Sequence, residues 1–123
     1  MNEKILIVDD TLGILKVLKR LLESSGFDIS ISNESKEALK KIDEEEFDLV
    51  ILDVFMPEMD GRRVAERIRS DYGPEDLKII FLSVAKEREI DDETMESLQI
   101  QGFIHKPFQK EDVLDNISKA LSE

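Results

Sequence analysis

Short apolar runs alternate along the chain with longer segments in which apolar residues recur every three or four positions. Three of these runs, 5–8, 49–52 and 79–82, contain only apolar residues, which is typical of strands buried on both faces of a parallel sheet. A fourth run, 27–31, alternates apolar and polar residues, as a half-exposed strand does. The fifth run is short, at 103–104. The pattern therefore predicts five strands.

Apolar residues with helical spacing predict one helix after each strand. Helix by helix, these residues are Leu15, Leu18 and Leu22; Ala38, Leu39 and Ile42; Val64, Ala65 and Ile68; Ile90, Met95 and Leu98; and Val113, Leu114, Ile117 and Leu121. Gly26 is predicted to end the first helix, and Asp60 is the predicted N-cap of the third. The fourth helix has the weakest pattern and is very acidic.

Five strands alternating with five helices predict an α/β fold with one parallel sheet covered by helices on both faces. The half-exposed run 27–31 belongs at one edge of the sheet, and the short run 103–104 belongs at the other. This placement gives the strand order 2-1-3-4-5 of doubly wound, flavodoxin-like folds. With 123 residues, 41% of them hydrophobic, the sequence predicts a single domain over residues 1–123.

Composition and charge narrow the functions open to such a domain. No apolar run is long enough to span a bilayer, the first residues lack the plan of a secretory signal, and there is no cysteine. We therefore expect a cytoplasmic protein that does not associate with membranes. The 17 basic and 29 acidic residues give a net charge of −12, which opposes direct binding of nucleic acid by this domain. The same charge suits a divalent cation or a basic partner, although acidic surfaces also serve solubility.

Polar residues with chemical potential follow four of the predicted strands. Asp9 and Asp10 follow the first strand, Asp53 the third, Ser83 the fourth and Lys106 the fifth. Because the carboxyl ends of parallel strands meet at one edge of a sheet, we expect these side chains to lie together. Clustered carboxylates repel one another, and a hard cation such as Mg²⁺, with Mn²⁺ as a substitute, removes that repulsion.

The same set of residues suits phosphoryl transfer. A carboxylate such as Asp53 is a nucleophile that can form an aspartyl phosphate. Catalysis of this transfer depends on positioning and on charge around the phosphoryl oxygens, which Mg²⁺, the Lys106 ammonium and the Ser83 hydroxyl would supply. The predicted site is therefore a magnesium-assisted phosphoryl acceptor.

Four motifs carry a resemblance to a known family. They are KILIVDD, DLVILDVFMPEMDG, LSVA and GFIHKPF, in this order along the chain. Over essentially its whole length the sequence resembles a response-regulator receiver domain of two-component signal transduction, in the CheY-like superfamily. The resemblance implies a phosphorylation-dependent switch that catalyses only its own phosphorylation and dephosphorylation and is otherwise not an enzyme. The implied partners are a histidine kinase or histidine phosphotransfer protein, and an output domain or downstream protein.

The resemblance also implies roles for individual residues at the metal. Asp53 would be the phosphoacceptor, and Asp10 and Asp53 would bind Mg²⁺ directly. Asp9 would act through a metal-bound water, and the backbone carbonyl of Phe55 would be a further ligand.

Ser83 and Lys106 would contact the phosphoryl oxygens, and the Lys106–Pro107 peptide would be cis. Phe103 would be the switch aromatic, which fills the space left when the Ser83 hydroxyl moves toward the phosphoryl group. The switch would remodel the surface formed by the fourth helix, fifth strand and fifth helix, which is also a candidate surface for homodimerisation.

Two residues depart from the usual family pattern beside the phosphoacceptor. Val84 is bulkier than the alanine or glycine common after the conserved hydroxyl residue, and Phe55 adds apolar bulk two positions after Asp53. Both are predicted to restrict access to the pocket and to lengthen the lifetime of the aspartyl phosphate. The acidic segment 87–93 either faces a basic output partner or is a solvated helix start, and the second interpretation is favoured; His105, the only histidine, is interpreted as a structural residue.

Two alternative functions remain to be weighed. A phosphohydrolase of the haloacid dehalogenase type needs Asp-x-Asp-x-Thr, whereas here Asp9 and Asp10 are adjacent, so its spacing fails. A receiver-like adaptor that works without phosphorylation would keep the fold, but all five site positions carry suitable residues here. The receiver interpretation is therefore favoured over both.

Overall fold

A computed structural model describes residues 2–84 and 91–122 of the chain. Strands and helices alternate from β1 to α5, as the apolar pattern predicts. Their bounds are β1 Lys4–Val8, α1 Leu12–Glu23, β2 Asp28–Ser32, α2 Ser35–Glu44, β3 Leu49–Asp53, α3 Gly61–Asp71, β4 Lys78–Ser83, α4 Asp92–Ser97, β5 Gly102–His105 and α5 Lys110–Ser122.

The strands form one parallel sheet in the order β2-β1-β3-β4-β5, which confirms the predicted topology. All five residues of the central strand β3 are buried. The register pairs Val8 with Leu52, Asp53 with Leu82 and Ser83 with His105. The residues that follow β1, β3, β4 and β5 therefore lie level with one another at one edge of the sheet, because all four strands run in the same direction.

Helices cover both faces of the sheet, so the core has two halves. Alternate strand residues such as Leu6 and Val50 point to one face, where α2 and α3 pack. Their neighbours, such as Ile5 and Ile51, point to the other face, under α1 and α5. Because each central strand buries both sets of side chains, its sequence is a continuous apolar run.

The first predicted edge strand is displaced by one residue. The prediction began it at Phe27, whereas β2 begins at Asp28. The reason lies in the end of α1: Gly26 has φ of 95°, and the Phe27 amide donates to the Leu22 carbonyl at 3.2 Å. The amide of Phe27 thus closes the helix, which confirms Gly26 as the residue that ends it.

The helix starts agree with their sequence signals. Asp60 caps α3 by accepting a hydrogen bond from the Arg63 amide at 3.1 Å. Asp91 caps α4 in the same way, with the Thr94 amide at 2.7 Å, and acidic residues occupy the first turn of α4. The acidic residues in the first turn of α4 therefore interact favourably with the helix dipole, as predicted. Residues 87–90 of the acidic segment, including Ile90, lie outside the described residues.

In the described part of the chain, no helix combines the length and the apolar character needed to cross a membrane.

Candidate functional site

Three carboxylates meet at the carboxyl edge of the sheet. Asp9 and Asp10 follow β1 and Asp53 ends β3, and one oxygen of each lies within 4.8 Å of the others. Asp9 is 0% exposed and Asp53 is 4% exposed, whereas Asp10 is open to solvent. The structure thus brings together the three acidic residues that the sequence predicts for a cation site.

Lys106 lies between the two buried carboxylates. Its Nζ is 2.6 Å from Asp9 Oδ2 and 3.4 Å from Asp53 Oδ2, and its side chain is largely buried. The ammonium is therefore closer to Asp9 than to the predicted phosphoacceptor. Its positive charge compensates part of the negative charge that the three carboxylates place at this edge.

The two carboxylate oxygens of Asp9 have different partners. Oδ1 accepts a hydrogen bond from the Thr11 amide at 2.8 Å, which holds the side chain in place. Oδ2 is buried and, among the described residues, has the ion pair with Lys106 but no hydrogen bond of good geometry. A buried carboxylate oxygen with spare acceptor capacity is suited to a cation or to water bound to one.

The pKa of Asp53 is raised to about 6, mainly by burial and next by the negative charge of Asp9. The positive charge of Lys106 lowers this pKa, but by less than Asp9 raises it. One hydrogen bond favours the ionised form: the Phe55 amide donates to Asp53 Oδ1 at 3.1 Å. A divalent cation at this cluster would lower the pKa again and keep the carboxylate ionised. Its donor set consists of hard oxygens without histidine or sulfur, which fits Mg²⁺ or Mn²⁺.

The loop after β3 is folded tightly against the site. The Val54 amide donates to Leu82 of β4 at 2.9 Å, and the Gly61 amide donates back to the Val54 carbonyl at 2.8 Å. A Cβ atom on Gly61 would lie 2.5 Å from the Asp53 carbonyl oxygen. The first residue of α3 must therefore be glycine for the helix to begin this close to the phosphoacceptor strand.

A hydroxyl from α2 also supports this loop, although the sequence pattern did not predict it as a site residue. Ser35 is 6% exposed, and its Oγ donates to the Met59 carbonyl at 2.6 Å. The only sequence signal for Ser35 is its place at the start of a helix, where serine is common for other reasons. Its contact is 24 residues away along the chain and becomes visible only in the folded protein.

The fourth and fifth strands bring Ser83 beside Lys106. Ser83 ends β4 and is 1% exposed, and its carbonyl accepts from the Lys106 amide at 2.7 Å. The Lys106–Pro107 peptide is cis, as predicted. The two residues predicted to contact a phosphoryl group thus lie next to each other at the mouth that holds Asp53.

Phe103 is half-buried on β5 and packs against the core under α3 and α4. Its ring lies 4.8 Å from that of His105 at an interplanar angle of 47°. His105 is exposed, and its structural interpretation stays a prediction. Phe103 therefore has one side in the core and one side near the surface.

Exposed apolar side chains follow the strands that carry the site. Phe55, two residues after the end of β3, is 44% exposed, and Val84, directly after β4, is 63% exposed. Leu12, at the start of α1, is 54% exposed. These three residues are called the apolar margin of the site.

Comparison with known proteins agrees with this geometry. A family model described as the response regulator receiver domain matches residues 5–118. The chain is 36% identical over 124 residues to the alkaline phosphatase synthesis transcriptional regulatory protein PhoP of Bacillus subtilis (strain 168). The match covers 98% of this chain and 49% of PhoP, so the chain spans about half the length of this curated relative.

Solved structures share the fold over their whole length. A CheY-like response regulator receiver domain protein from Methanospirillum hungatei JF-1 superposes with a TM-score of 0.89 at 29% identity, over 99% of this chain and 95% of that one. The chemotaxis response regulator CheY4 of Vibrio cholerae superposes with a TM-score of 0.88 at 26% identity, over 98% and 100% of the two chains. The chain therefore belongs to the response regulator receiver domains of two-component signal transduction.

Proposed function

We propose that this domain is a signalling switch that accepts a phosphoryl group on Asp53. The observation that carries the proposal is the position of Asp53, a buried carboxylate at the end of the central strand with Asp9, Asp10 and Lys106 around it. A buried carboxylate with two acidic neighbours is costly for the fold. A function that needs a nucleophile beside a cation explains why the cost is tolerated.

In the proposed reaction an Asp53 carboxylate oxygen attacks the phosphorus of a phosphohistidine. The new oxygen–phosphorus bond forms as the nitrogen–phosphorus bond breaks, and the imidazole nitrogen of the donor takes up a proton. The Lys106 ammonium and the Ser83 hydroxyl stabilise the phosphoryl oxygens. Lys106 lies within reach because its Nζ is 3.4 Å from Asp53 Oδ2 before any phosphoryl group is present.

The proposed cation site uses the acidic cluster of the same edge. Asp10 and Asp53 would bind Mg²⁺ directly, Asp9 would act through water, and the Phe55 carbonyl would complete the protein ligands. When bound, the ion supplies positive charge that offsets the repulsion between the carboxylates and an incoming phosphoryl group. The buried Oδ2 atom of Asp9 and the hard-oxygen donor set support this assignment.

The proposed output is a shift between two conformations of the domain that differ at α4, β5 and α5. Movement of the Ser83 hydroxyl toward the phosphoryl group would let the half-buried Phe103 ring move further inward. The surface formed by α4, β5 and α5 would then change shape for a downstream protein, an output domain or a second copy of this domain. The position of Phe103, half-buried on β5 and packed against the core, supports this role.

The proposed phosphodonor is a histidine kinase or a histidine phosphotransfer protein in the cytoplasm. Its docking is supported by the apolar margin of Leu12, Phe55 and Val84. The Bacillus subtilis relative is a transcriptional regulatory protein about twice as long as the matched region, so we also propose an output domain as one effector.

A mimic of the phosphorylated carboxylate tests this function. Beryllofluoride added with Mg²⁺ is expected to shift the backbone NMR signals of Asp53, Ser83 and Phe103, because it binds the carboxylate and recruits the same hydroxyl. Asp53→Asn is the matched control and should show no shift. A wild-type spectrum unchanged by beryllofluoride and Mg²⁺ would support the phosphorylation-independent adaptor instead.

The exposed side chains of Val84 and Phe55 are expected to slow loss of the phosphoryl group. Both follow the strands that end at Asp53 and Ser83, and we expect them to obstruct a water molecule that approaches the phosphorus in line. Val84→Ala and Phe55→Asn should each raise the dephosphorylation rate severalfold, roughly 2- to 10-fold, since about 1 kcal/mol of barrier is a factor of five. Val17→Ala, which changes another exposed apolar residue on α1, is the control. Unchanged rates in both variants would contradict a role for these side chains in the lifetime.

A further inference from the structure

Arg69, near the end of α3, donates hydrogen bonds to three separate segments of the chain. Its Nε bonds to the Leu98 carbonyl at 2.8 Å, and its Nη2 bonds to the Gln99 carbonyl at 2.9 Å. Its Nη1 bonds to the Leu77 carbonyl at 2.7 Å and to the Tyr72 carbonyl at 3.3 Å. The guanidinium therefore joins the end of α3 and the start of β4 to the end of α4.

The acceptors are backbone carbonyls rather than carboxylates. Across residues 2–84 and 91–122, no carboxylate lies within ion-pair distance of Arg69. The carbonyls after the last turn of α4 have no partner within the helix and carry the negative end of its dipole, which attracts a cation. Arg69 thus supplies, from another helix, the donors that the end of α4 lacks.

A glutamine strengthens the same junction. Gln101 accepts from the Ile79 amide at 2.8 Å through Oε1, which also lies 3.3 Å from Arg69 Nη2. Its Nε2 donates to the Gln99 carbonyl at 2.7 Å. Gln99 has φ of 54°, a conformation that costs a residue with a side chain about 1 kcal/mol or more. Two side chains therefore hold one strained carbonyl in place.

The residues of α4 itself are less buried than this junction, although Met95 packs partly against the core. None of the residues of Asp92–Ser97 is buried, and the helix has only six residues. Leu98, which follows the helix, is 8% exposed and belongs to the core. Along the chain this fixed junction lies between α4 and the proposed switch residue Phe103. Among the described residues, the buried contact of this segment with the core is therefore at its carboxyl end, at Leu98.

We propose that Arg69 is a positioning residue that fixes the carboxyl end of α4, so that α4 turns about Leu98–Gln101 when the switch operates. The inference rests on the proposed function for the turning of α4. The fixed junction itself exists without any ligand and is tested separately.

The junction is tested first by hydrogen exchange without ligand. In Arg69→Met, the amides of Leu98, Gln99 and Ile100 are expected to exchange roughly tenfold faster or more, because several hydrogen bonds to a charged donor are lost. Arg67→Met is the matched control, since Arg67 is exposed on the same helix and should leave these rates unchanged. Arg69→Lys keeps the charge without the planar fork, so its rates should lie between those of the wild type and Arg69→Met.

The turning of α4 is tested by adding beryllofluoride and Mg²⁺. In the wild type, signals of Asp92–Met95 are expected to shift while those of Leu98–Gln101 stay in place. In Arg69→Met the shifts should extend through Leu98–Gln101; if that variant does not fold, Arg69→Lys should show a weaker extension. Equal exchange rates in the Arg69 and Arg67 variants, or large wild-type shifts at Leu98–Gln101, would overturn the proposal. Absence of any beryllofluoride shift, together with fast exchange in Arg69→Met, would instead count against the proposed function alone.

Discussion

Asp53→Asn is expected to abolish incorporation of phosphoryl groups from a small donor such as phosphoramidate in the presence of Mg²⁺. The amide keeps the size of the side chain but removes the nucleophilic oxygen. The other carboxylates do not substitute for it, because Asp9 is engaged by Lys106 and Asp10 is open to solvent. Intact-protein mass spectrometry measures the added phosphoryl mass, and acid and base lability identifies an acyl phosphate.

Two controls accompany this experiment. Asp115→Asn removes an exposed carboxylate on α5 and should incorporate phosphate as the wild type does. Removing Mg²⁺ with a chelator should slow the wild-type reaction by roughly 100-fold or more, since a metal ion at a phosphoryl-transfer site contributes several kcal/mol. Continued incorporation in Asp53→Asn would place the phosphoacceptor elsewhere and contradict the proposed function.

The same substitution is expected to make the domain more stable at neutral pH without divalent ions. The pKa of Asp53 is raised from its ordinary value of 3.8 to about 6, so the folded state binds the proton more tightly than the unfolded state does. The contribution of Asp53 to stability is therefore fully present below its ordinary pKa and is lost as the pH rises through about 6. Above that pH, Asp53→Asn should raise the free energy of unfolding by about 1–3 kcal/mol.

Urea unfolding between about pH 4 and pH 7 in a chelating buffer measures this difference. The gain of Asp53→Asn over the wild type should grow with pH in that range and then level off. Addition of Mg²⁺ should reduce it, because the cation stabilises the wild-type carboxylate cluster. A gain that does not change with pH would show that burial of the Asp53 charge is not its cause.

Gly61→Ala is expected to destabilise the domain by about 2–4 kcal/mol and to slow phosphorylation. The new Cβ atom would lie 2.5 Å from the Asp53 carbonyl oxygen and 2.9 Å from Val54 Cα. Both contacts are with backbone atoms, so no side-chain rotation relieves them, and the chain that carries the phosphoacceptor must shift.

Two other glycines provide matched controls for this variant. Gly13→Ala, in α1, meets no atom within 4 Å and should be neutral or stabilising by up to about 1 kcal/mol. Gly102→Ala would place its Cβ atom 2.7 Å from Asn116 Oδ1, which lies on a side chain that can rotate, so a smaller loss is expected. Urea unfolding of the three variants gives the ranking, and a Gly61→Ala variant as stable as Gly13→Ala would contradict the close approach.

Hydrophobic periodicity alone predicted the architecture of this protein. Continuous apolar runs such as 49–52 indicated strands covered on both faces, and alternation at 27–31 placed that strand at an edge. Strand direction then placed Asp9, Asp53 and Lys106 at one edge, because the ends of parallel strands coincide. These conclusions depend on side-chain repeats of two residues in strands and about 3.6 residues in helices, and a single sequence contains both repeats.

The tertiary structure alone decided which atoms meet within that edge and beyond it. The sequence placed Lys106 near the acidic cluster, but only the strand register sets its Nζ at 2.6 Å from Asp9 and 3.4 Å from Asp53. Hydrophobic periodicity does not distinguish Gly61, where an added Cβ atom would meet the Asp53 backbone, from Gly13, where an added Cβ atom would meet no atom within 4 Å. Likewise, the sequence gives Arg69 the pattern of an ordinary surface arginine that follows a buried helix residue. Only the folded structure shows that its guanidinium binds the end of α4. Contacts between residues about 30 positions apart depend on how helices and strands pack, and packing is a property of the whole core.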